Sequence, residues 1–262
     1  MKHPKISIIT ISYNSSSTIR KTIESVIGQS YDNKEYIIID GKSTDGTQNI
    51  INEYKEHIEI FISEKDKGIS DAFNKGISYA TGDLIVCINS DDYLLPDVLD
   101  KVAKQYDETH DLYCGNLILW DSETDYSCII HPSLDFPTMP FFRKPAHQGI
   151  FIKKKLYEQL GLYDTNIHYA MDLDFLMRAT RNSAKFKYID INIAVFRLGG
   201  ATNDSIFKKK NEYIYIIKKN GGNFVQAYTY YWFMVITQCI KKILKETGID
   251  VVRHFRYKKH QL

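Results

Sequence analysis

GDLIVCINSDDYLLP, residues 82–96, is the stretch whose reading decides the fold. Residues 84–88 form a short apolar run with β-branched members, entered through Gly-Asp and left through Asn89, Ser90, Asp91 and Asp92. That pattern predicts a buried strand with a polar carboxyl end. Two adjacent carboxylates at such a strand mouth repel each other unless a cation or N–H donors lie between them. A hard divalent ion carrying phosphate oxygens meets the need, which points to a site for a nucleoside diphosphate. The same residues are also ordinary turn and cap chemistry, since Asp and Asn favour strand ends and Pro96 opens a helical pattern. The rest of the chain has to decide between the two.

Upstream, residues 6–11 (ISIITI) are a near-continuous apolar run, as in a strand covered on both faces. Ile19, Ile23, Val26 and Ile27 follow at helical spacing. Residues 36–39 predict a second strand ending at Asp40, and Asp45 is placed to cap a helix reaching to about residue 56. A strand over 58–62, a helix over 69–79 and the strand over 84–88 complete the series. Four strands alternating with three helices define a doubly wound α/β sheet, whose ligands bind beyond the carboxyl ends of the strands. Tyr13, Asp40 and the 89–92 group stand at those ends. No GxGxxG follows the first strand and no GxxxxGK(S/T) is present, which argues against a dinucleotide dehydrogenase and a P-loop protein.

At 262 residues, 44% hydrophobic and 25% charged, the chain reads as one soluble globular domain, or one domain with an appendage. The start, MKHPK, leads straight into a strand, so neither a signal peptide nor a long membrane span is expected. Cys87, Cys114, Cys128 and Cys239 lack metal-ligand spacing, which fits a reduced, cytosolic compartment. The net charge of +2 is unevenly spread: residues 206–262 hold twelve Lys and Arg against three acids, +9, which leaves −7 before them.

Downstream, a helix is predicted over 96–106 and a strand over 111–119, with 126–130 pairing back on it. Residues 131–149 hold four prolines and read as a loop. A helix over 170–181 carries Leu173, Leu176 and Met177 on one face. Asp172 and Asp174, two apart, diverge on that helix, so one of them is expected to be buried toward the site. The plainer reading is a helix-start carboxylate satisfying free amides. Asp71 and Asn74 share one helical face and are either solvated or near a ligand; His147 is either structural or part of the site.

The segments ISIITISYN, IIIDGKSTDGT, DKGISDAFNKGISYATGD and INSDD stand in this order, and together they resemble the nucleotide-sugar domain of family 2 glycosyltransferases over about residues 4–200. The resemblance implies a GT-A fold, a Rossmann-like, mostly parallel sheet flanked by helices. Residues 1–204 would form that domain, with a donor half to about 95 and an acceptor half from 96, and residues 205–262 a C-terminal helical appendage. It further implies that Thr10, Tyr13 and Asp40 hold the nucleoside, with Asp40 accepting the base N–H. Asp91, supported by Asp92, would hold Mn2+ or Mg2+ on the diphosphate, and Asp71, Asn74, Asn89, Ser90 and His147 would border the donor. Asn89 departs from the family's DxD at its first position. Asp172 matches the family's catalytic base, with Met171 replacing the acid before it.

The implied reaction is metal-dependent, inverting transfer from a nucleotide-sugar, UDP-hexose or UDP-N-acetylhexosamine, to a lipid-linked saccharide in O-antigen, capsule or exopolysaccharide synthesis. The alternatives are a non-catalytic sugar-binding module and a sugar nucleotidyltransferase, though SYNSSST lacks the Gly-rich, Arg-containing loop of the latter. In the tail, aromatics from Phe224 to Phe233 precede Lys241, Lys242, Lys245, Arg253, Arg256, Lys258 and Lys259. This fits a helix lying peripherally on the anionic inner face of the cell membrane. It also fits a helix packed on the domain or on a second subunit of a homodimer. No nucleic-acid motif accompanies the basic stretch.

Overall fold

A computed structural model describes residues 3–122, 124–132, 147–198 and 209–246. Most of the proline-rich loop, Phe207, Lys208, the basic residues after 246 and the side chains of Lys241, Lys242 and Lys245 lie outside the described residues. The first half of the chain runs β1 (Ile6–Ser12), α1 (Ile19–Ile27), β2 (Lys34–Asp40), α2 (Thr47–Glu53), β3 (Ile60–Ser63), α3 (Ile69–Tyr79) and β4 (Leu84–Asn89). Each agrees with the sequence expectation to within a few residues. The N-cap of α2 is Gly46 in the left-handed region (φ 98), not Asp45; Asp45 stands one residue earlier, where its Oδ1 accepts the Thr47 amide at 3.0 Å and its Oδ2 the Ser16 amide.

The second half supplies β5 (Tyr93–Leu94), α4 (Val98–Gln105), β6 (Leu112–Asp121), β7 (Tyr126–Ile130) and a 3-10 turn at His147–Gly149. It continues with β8 (Ile150–Lys153), α5 (Lys154–Leu160), α6 (Met171–Arg181), β9 (Phe186–Arg197), α7 (Lys210–Lys219) and α8 (Phe224–Glu246). The strands form one sheet in the order β3-β2-β1-β4-β8-β6-β9-β5, with β7 beside β6. β1 to β4 are parallel to one another, β8 runs against both β4 and β6, and β9 is parallel to β6. Six strands therefore share one direction.

Side chains alternate across this sheet because the strand period is two. Ile6, Ile8, Ile38, Val86 and Ile88 face α1 and α4, while Ile9, Ile11, Ile39 and Cys87 face α3 and α6. Each fully buried Ile or Val contributes about 1.5–3 kcal/mol, and the continuous apolar runs are the consequence of covering both faces. The chain reverses from β1 to β2 to β3 on one side of β1 and crosses to β4 on the other. The carboxyl ends of β1 and β4 thus flank a topological switch point.

At the opposite end of the sheet, Glu35 is buried beneath the entry to β4. It accepts from Ser7 Oγ, the Thr81 amide and hydroxyl (both 2.6 Å) and the Gly82 amide, with Lys5 Nζ at 2.6 Å. A Cβ on Gly82 would stand 2.5 Å from Ser7 Oγ, so this close crossing needs glycine. Burial by itself pushes the Glu35 carboxyl up, but the bonds from Lys5, Ser7 and Thr81 outweigh it and hold the group at about 2, against an ordinary 4.5. Because the folded value is the lower one, this stabilisation is whole above about pH 4.5 and is lost as pH falls toward 2. Glu35→Gln sets an NH2 group among donors and is expected to cost about 2–3 kcal/mol at pH 7. An unchanged urea midpoint would show that the network contributes nothing.

The C-terminal helices are joined to the body. Ile216 and Ile217 of α7 and Ala227 and Tyr230 of α8 belong to the same apolar cluster as α6. Glu212 of α7 accepts the amides of His168, Tyr169 and Ala170 at 2.7–3.0 Å, and these three residues lead into α6. Among the described residues no helix is long and apolar enough to cross a membrane.

Candidate active site

The site begins where β1 and β2 end. Asp40 is wholly buried; Ser12 Oγ and Ser43 Oγ donate to its Oδ1, and the Ser43 amide (2.9 Å) and Ser63 Oγ (2.7 Å) to its Oδ2. Four donors fill the acceptor capacity of a carboxylate, so Asp40 organises this corner, and a contact to a nucleobase would require one serine to give way. The chain leaves β1 through Asn14 in the left-handed region (φ 48), whose amide donates to Ser43 Oγ and whose side-chain carbonyl accepts the Thr44 amide. Tyr13, 67% exposed, lies beside Gly41. A Cβ on Gly41 would meet Asp66 Oδ2 at 2.6 Å and the Tyr13 ring at 3.3 Å, so glycine lets these groups close in.

The end of β4 is pinned from below. Thr22 Oγ1 of α1 donates to the carbonyls of Ser90 (3.0 Å) and Asp92 (2.6 Å), and the Ser90 and Ser15 hydroxyls pair at 2.7 Å. The structure then separates the two adjacent carboxylates. Asp91 is half-buried at the mouth; Asp92 is wholly buried behind it. Asp92 Oδ1 accepts the Arg197 amide (3.0 Å), and Oδ2 accepts Gln148 Nε2 (2.8 Å) and Asn89 Nδ2 (3.2 Å). Burial, then the charge of Asp91, pushes the Asp92 carboxyl up to about 7 in spite of those bonds. Burial also raises Asp91, with its own amide and the Arg197 charge opposing.

On the far side stands α6. Asp172 is buried at its first turn, its Oδ1 accepting the Leu173 amide at 2.8 Å and its Oδ2 lying 4.0 Å from His147 Nδ1. His147 packs edge-on against Phe73 of α3. Asp174 is buried too, but turned away: it takes Arg178 Nε (2.9 Å), Lys219 Nζ (3.2 Å) and Asn220 Nδ2 (3.0 Å) and so ties α6 to α7. The two carboxylates diverge as the spacing requires, and each is enclosed by a different neighbour.

The structure thus brings Asn89, Ser90, Asp91, Asp92, His147 and Asp172 around one end of the sheet, with Asp40 and Tyr13 beside them. It does not bring Thr10 there: Thr10 is fully buried inside β1, where its hydroxyl accepts from Tyr36. Asn74 spends its amide on the Tyr163 backbone, donating to the carbonyl (2.8 Å) and accepting from the amide (2.9 Å). Asp71 accepts the Lys67 amide and lies 3.5 Å from Lys75. Arg197, whose backbone amide grips Asp92, gave no signal in the sequence, and the hold of Gln148 on Asp92 spans 56 residues with no spacing to announce it. Gln148 Oε1 is buried with no hydrogen-bond partner, an acceptor that an incoming water or hydroxyl would satisfy.

Among the described residues no group of three or more His, Cys, Asp or Glu surrounds a metal position. The donor set nevertheless suits Mg2+ or Mn2+ with few protein ligands. Asp91 offers a hard, accessible oxygen, and phosphate and water would complete the shell, as such ions prefer at nucleotide sites.

A sheet whose carboxyl ends gather acidic and hydroxyl side chains at a switch point, with a second carboxylate facing them from a later helix, is the setting of a ligand site in the α/β class. The chain belongs to glycosyl transferase family 2, whose family model matches residues 7–157. It is similar to the PGL/p-HBAD biosynthesis glycosyltransferase of Mycobacterium bovis BCG, 28% identical over 80% of this chain and 83% of the relative. Among solved structures it resembles S. aureus TarS in complex with UDP-GlcNAc (TM-score 0.63, 18% identity, 81% of this chain and 65% of that one). It also resembles the mannosyltransferase PcManGT of Pyrobaculum calidifontis in complex with GDP-Man and Mn2+ (TM-score 0.62, 18% identity, 83% and 63%). The chain spans just under two thirds of these solved chains.

Proposed function

We propose that this protein is a metal-dependent, inverting hexosyltransferase that moves one sugar from a nucleoside diphosphate to a lipid-linked saccharide at the cytoplasmic face of the membrane. One observation carries the reading. The consecutive side chains His147 and Gln148 reach the two carboxylate centres, Gln148 the Asp92 that backs Asp91 and His147 the Asp172 at the start of α6. A single turn therefore holds the donor-phosphate side and the base at fixed separation.

In the reaction the acceptor O–H attacks the anomeric carbon, the bond from that carbon to the diphosphate oxygen breaks, and its electrons leave with the nucleoside diphosphate. Asp172 takes the acceptor proton as the new bond forms. Asp91 would hold a divalent ion, whose chemistry there would be to neutralise the charge growing on the departing diphosphate. Asp92, gripped by Gln148, Asn89 and the Arg197 amide, keeps the strand end in place. Attack in line with departure inverts the anomeric centre, so an α-linked donor gives a β-linked product. The named neighbours bind UDP-GlcNAc and GDP-Man, which supports a nucleotide-sugar donor.

The test is nucleoside diphosphate release from UDP-, GDP- and dTDP-sugars, with Mn2+, Mg2+ or chelator, and with short lipid-diphosphate saccharides. Release is expected with a UDP-hexose or UDP-N-acetylhexosamine, dependent on both metal and acceptor. Metal-independent release, or a product with retained configuration, would overturn the mechanism.

A further inference from the structure

We propose that the outward face of α8 is a seat for an anionic lipid surface. The idea rests on the lipid-linked acceptor for its purpose but not for its observations. α8 is 23 residues long, about 35 Å at 1.5 Å per residue. One face packs inward through Ala227, Tyr230, Tyr231 and Val235. The other presents Phe224, Val225, Tyr228, Trp232 and Ile236 at successive helical turns, with Val225 70% and Trp232 54% exposed. Soluble surfaces rarely leave a contiguous apolar stripe of this kind without a partner.

Charge selects the occupant. Lys210 and Lys218 of α7 border the stripe, with their Nζ atoms 5.5 Å from the Tyr228 ring and 5.8 Å from the Phe224 ring. Residues 206–262 carry +9 while the rest carries −7. A second copy meeting this face about a two-fold axis would set Lys210 and Lys218 of each copy against those of the other, which opposes that pairing. Nucleic acid suits the charge but not the apolar stripe. An anionic bilayer suits both, because Trp, Tyr and Phe settle at the interface and cations beside them meet lipid headgroups.

The experiment uses the full chain with vesicles of phosphatidylcholine alone or mixed with phosphatidylglycerol, at low and high salt. Co-sedimentation is expected with the anionic vesicles only, weakened by salt. The emission of Trp232, isolated by Trp120→Phe, should shift to the blue on binding. Val225→Glu with Trp232→Glu changes exposed positions only and should weaken co-sedimentation about tenfold or more, while nucleoside diphosphate release with a water-soluble acceptor is unchanged. Absence of binding to anionic vesicles, or binding indifferent to both substitutions, overturns the inference. So does a dimer that the substitutions split, which would make the face an interface between copies. Binding without transfer activity would leave the lipid seat standing and sink the transferase reading instead.

Discussion

Replacing Asp172 by Asn is expected to lower sugar transfer by about 10²–10⁴-fold, the usual worth of a general base, while donor affinity stays within about twofold of the parent. The amide is isosteric and its oxygen can still accept the Leu173 amide, so the first turn of α6 keeps its closure. What it loses is the capacity to take a proton. Because Asp172 lies on the His147 side of the site and Asp91 on the other, the loss should fall on kcat and leave nucleotide-sugar binding to Asp91 and its neighbours. Titration calorimetry with the donor and steady-state release of the diphosphate read the two separately. An undiminished rate would move the base to another group. Loss of donor binding together with rate would mean that Asp172 is part of the donor pocket.

The second large effect is on Asp91, and it has opposite signs for activity and stability. Asp91→Asn should reduce metal-dependent turnover by about 10²–10³-fold, since the charge that gathers the ion and diphosphate is gone. Without metal the same variant should melt higher, not lower. Asp92 is pushed up to about 7 from an ordinary 3.8, first by burial and then by Asp91. With the folded value the higher one, the ionised form costs stability as pH rises through about 7. Removing the Asp91 charge relieves part of that cost, about 1 kcal/mol, or roughly 2 °C in Tm at pH 8 for a chain of this size. Mn2+ should raise the Tm of the parent and not of the variant, and parent metal affinity should climb from pH 6 to 8 as Asp92 gives up its proton. A variant that melts lower without metal would show that Asp91 holds the strand end together rather than straining it.

The donor half was legible because its signals are local. β1, β2 and β4 are apolar runs bounded by turn residues, and α1 and α3 repeat their apolar positions at helical spacing. β9 was not legible: Phe186–Arg197 interrupts its apolar residues with Asp190 and Asn192, and half of it is only partly buried. Its strand character comes from the long pairing with β6, which lies outside any local window. The divergence of Asp172 and Asp174 was readable from spacing, yet not that both would be buried, because α7 covers Asp174 from 45 residues away. Asn74 had the composition of a ligand contact and turned out to clamp the Tyr163 backbone. Thr10 lies on β1 two residues before its carboxyl end, buried and engaged by Tyr36, a contact that the apolar run did not announce. Gln148 and Arg197 act on Asp92 across 56 and 105 residues, a relation that only the folded chain displays.

The Glu212 carboxylate has a consequence for where one working unit stops and another could be joined. The family match ends at residue 157, yet the helix that bears Asp172 is entered through three amides held by a carboxylate from α7. A chimaera between relatives, cut between β9 and α7, would hand the Asp172 helix from one parent to an anchor from the other. Backbone amides do not discriminate among carboxylates, so such a graft depends on reach and angle and very little on the identity of the surrounding side chains.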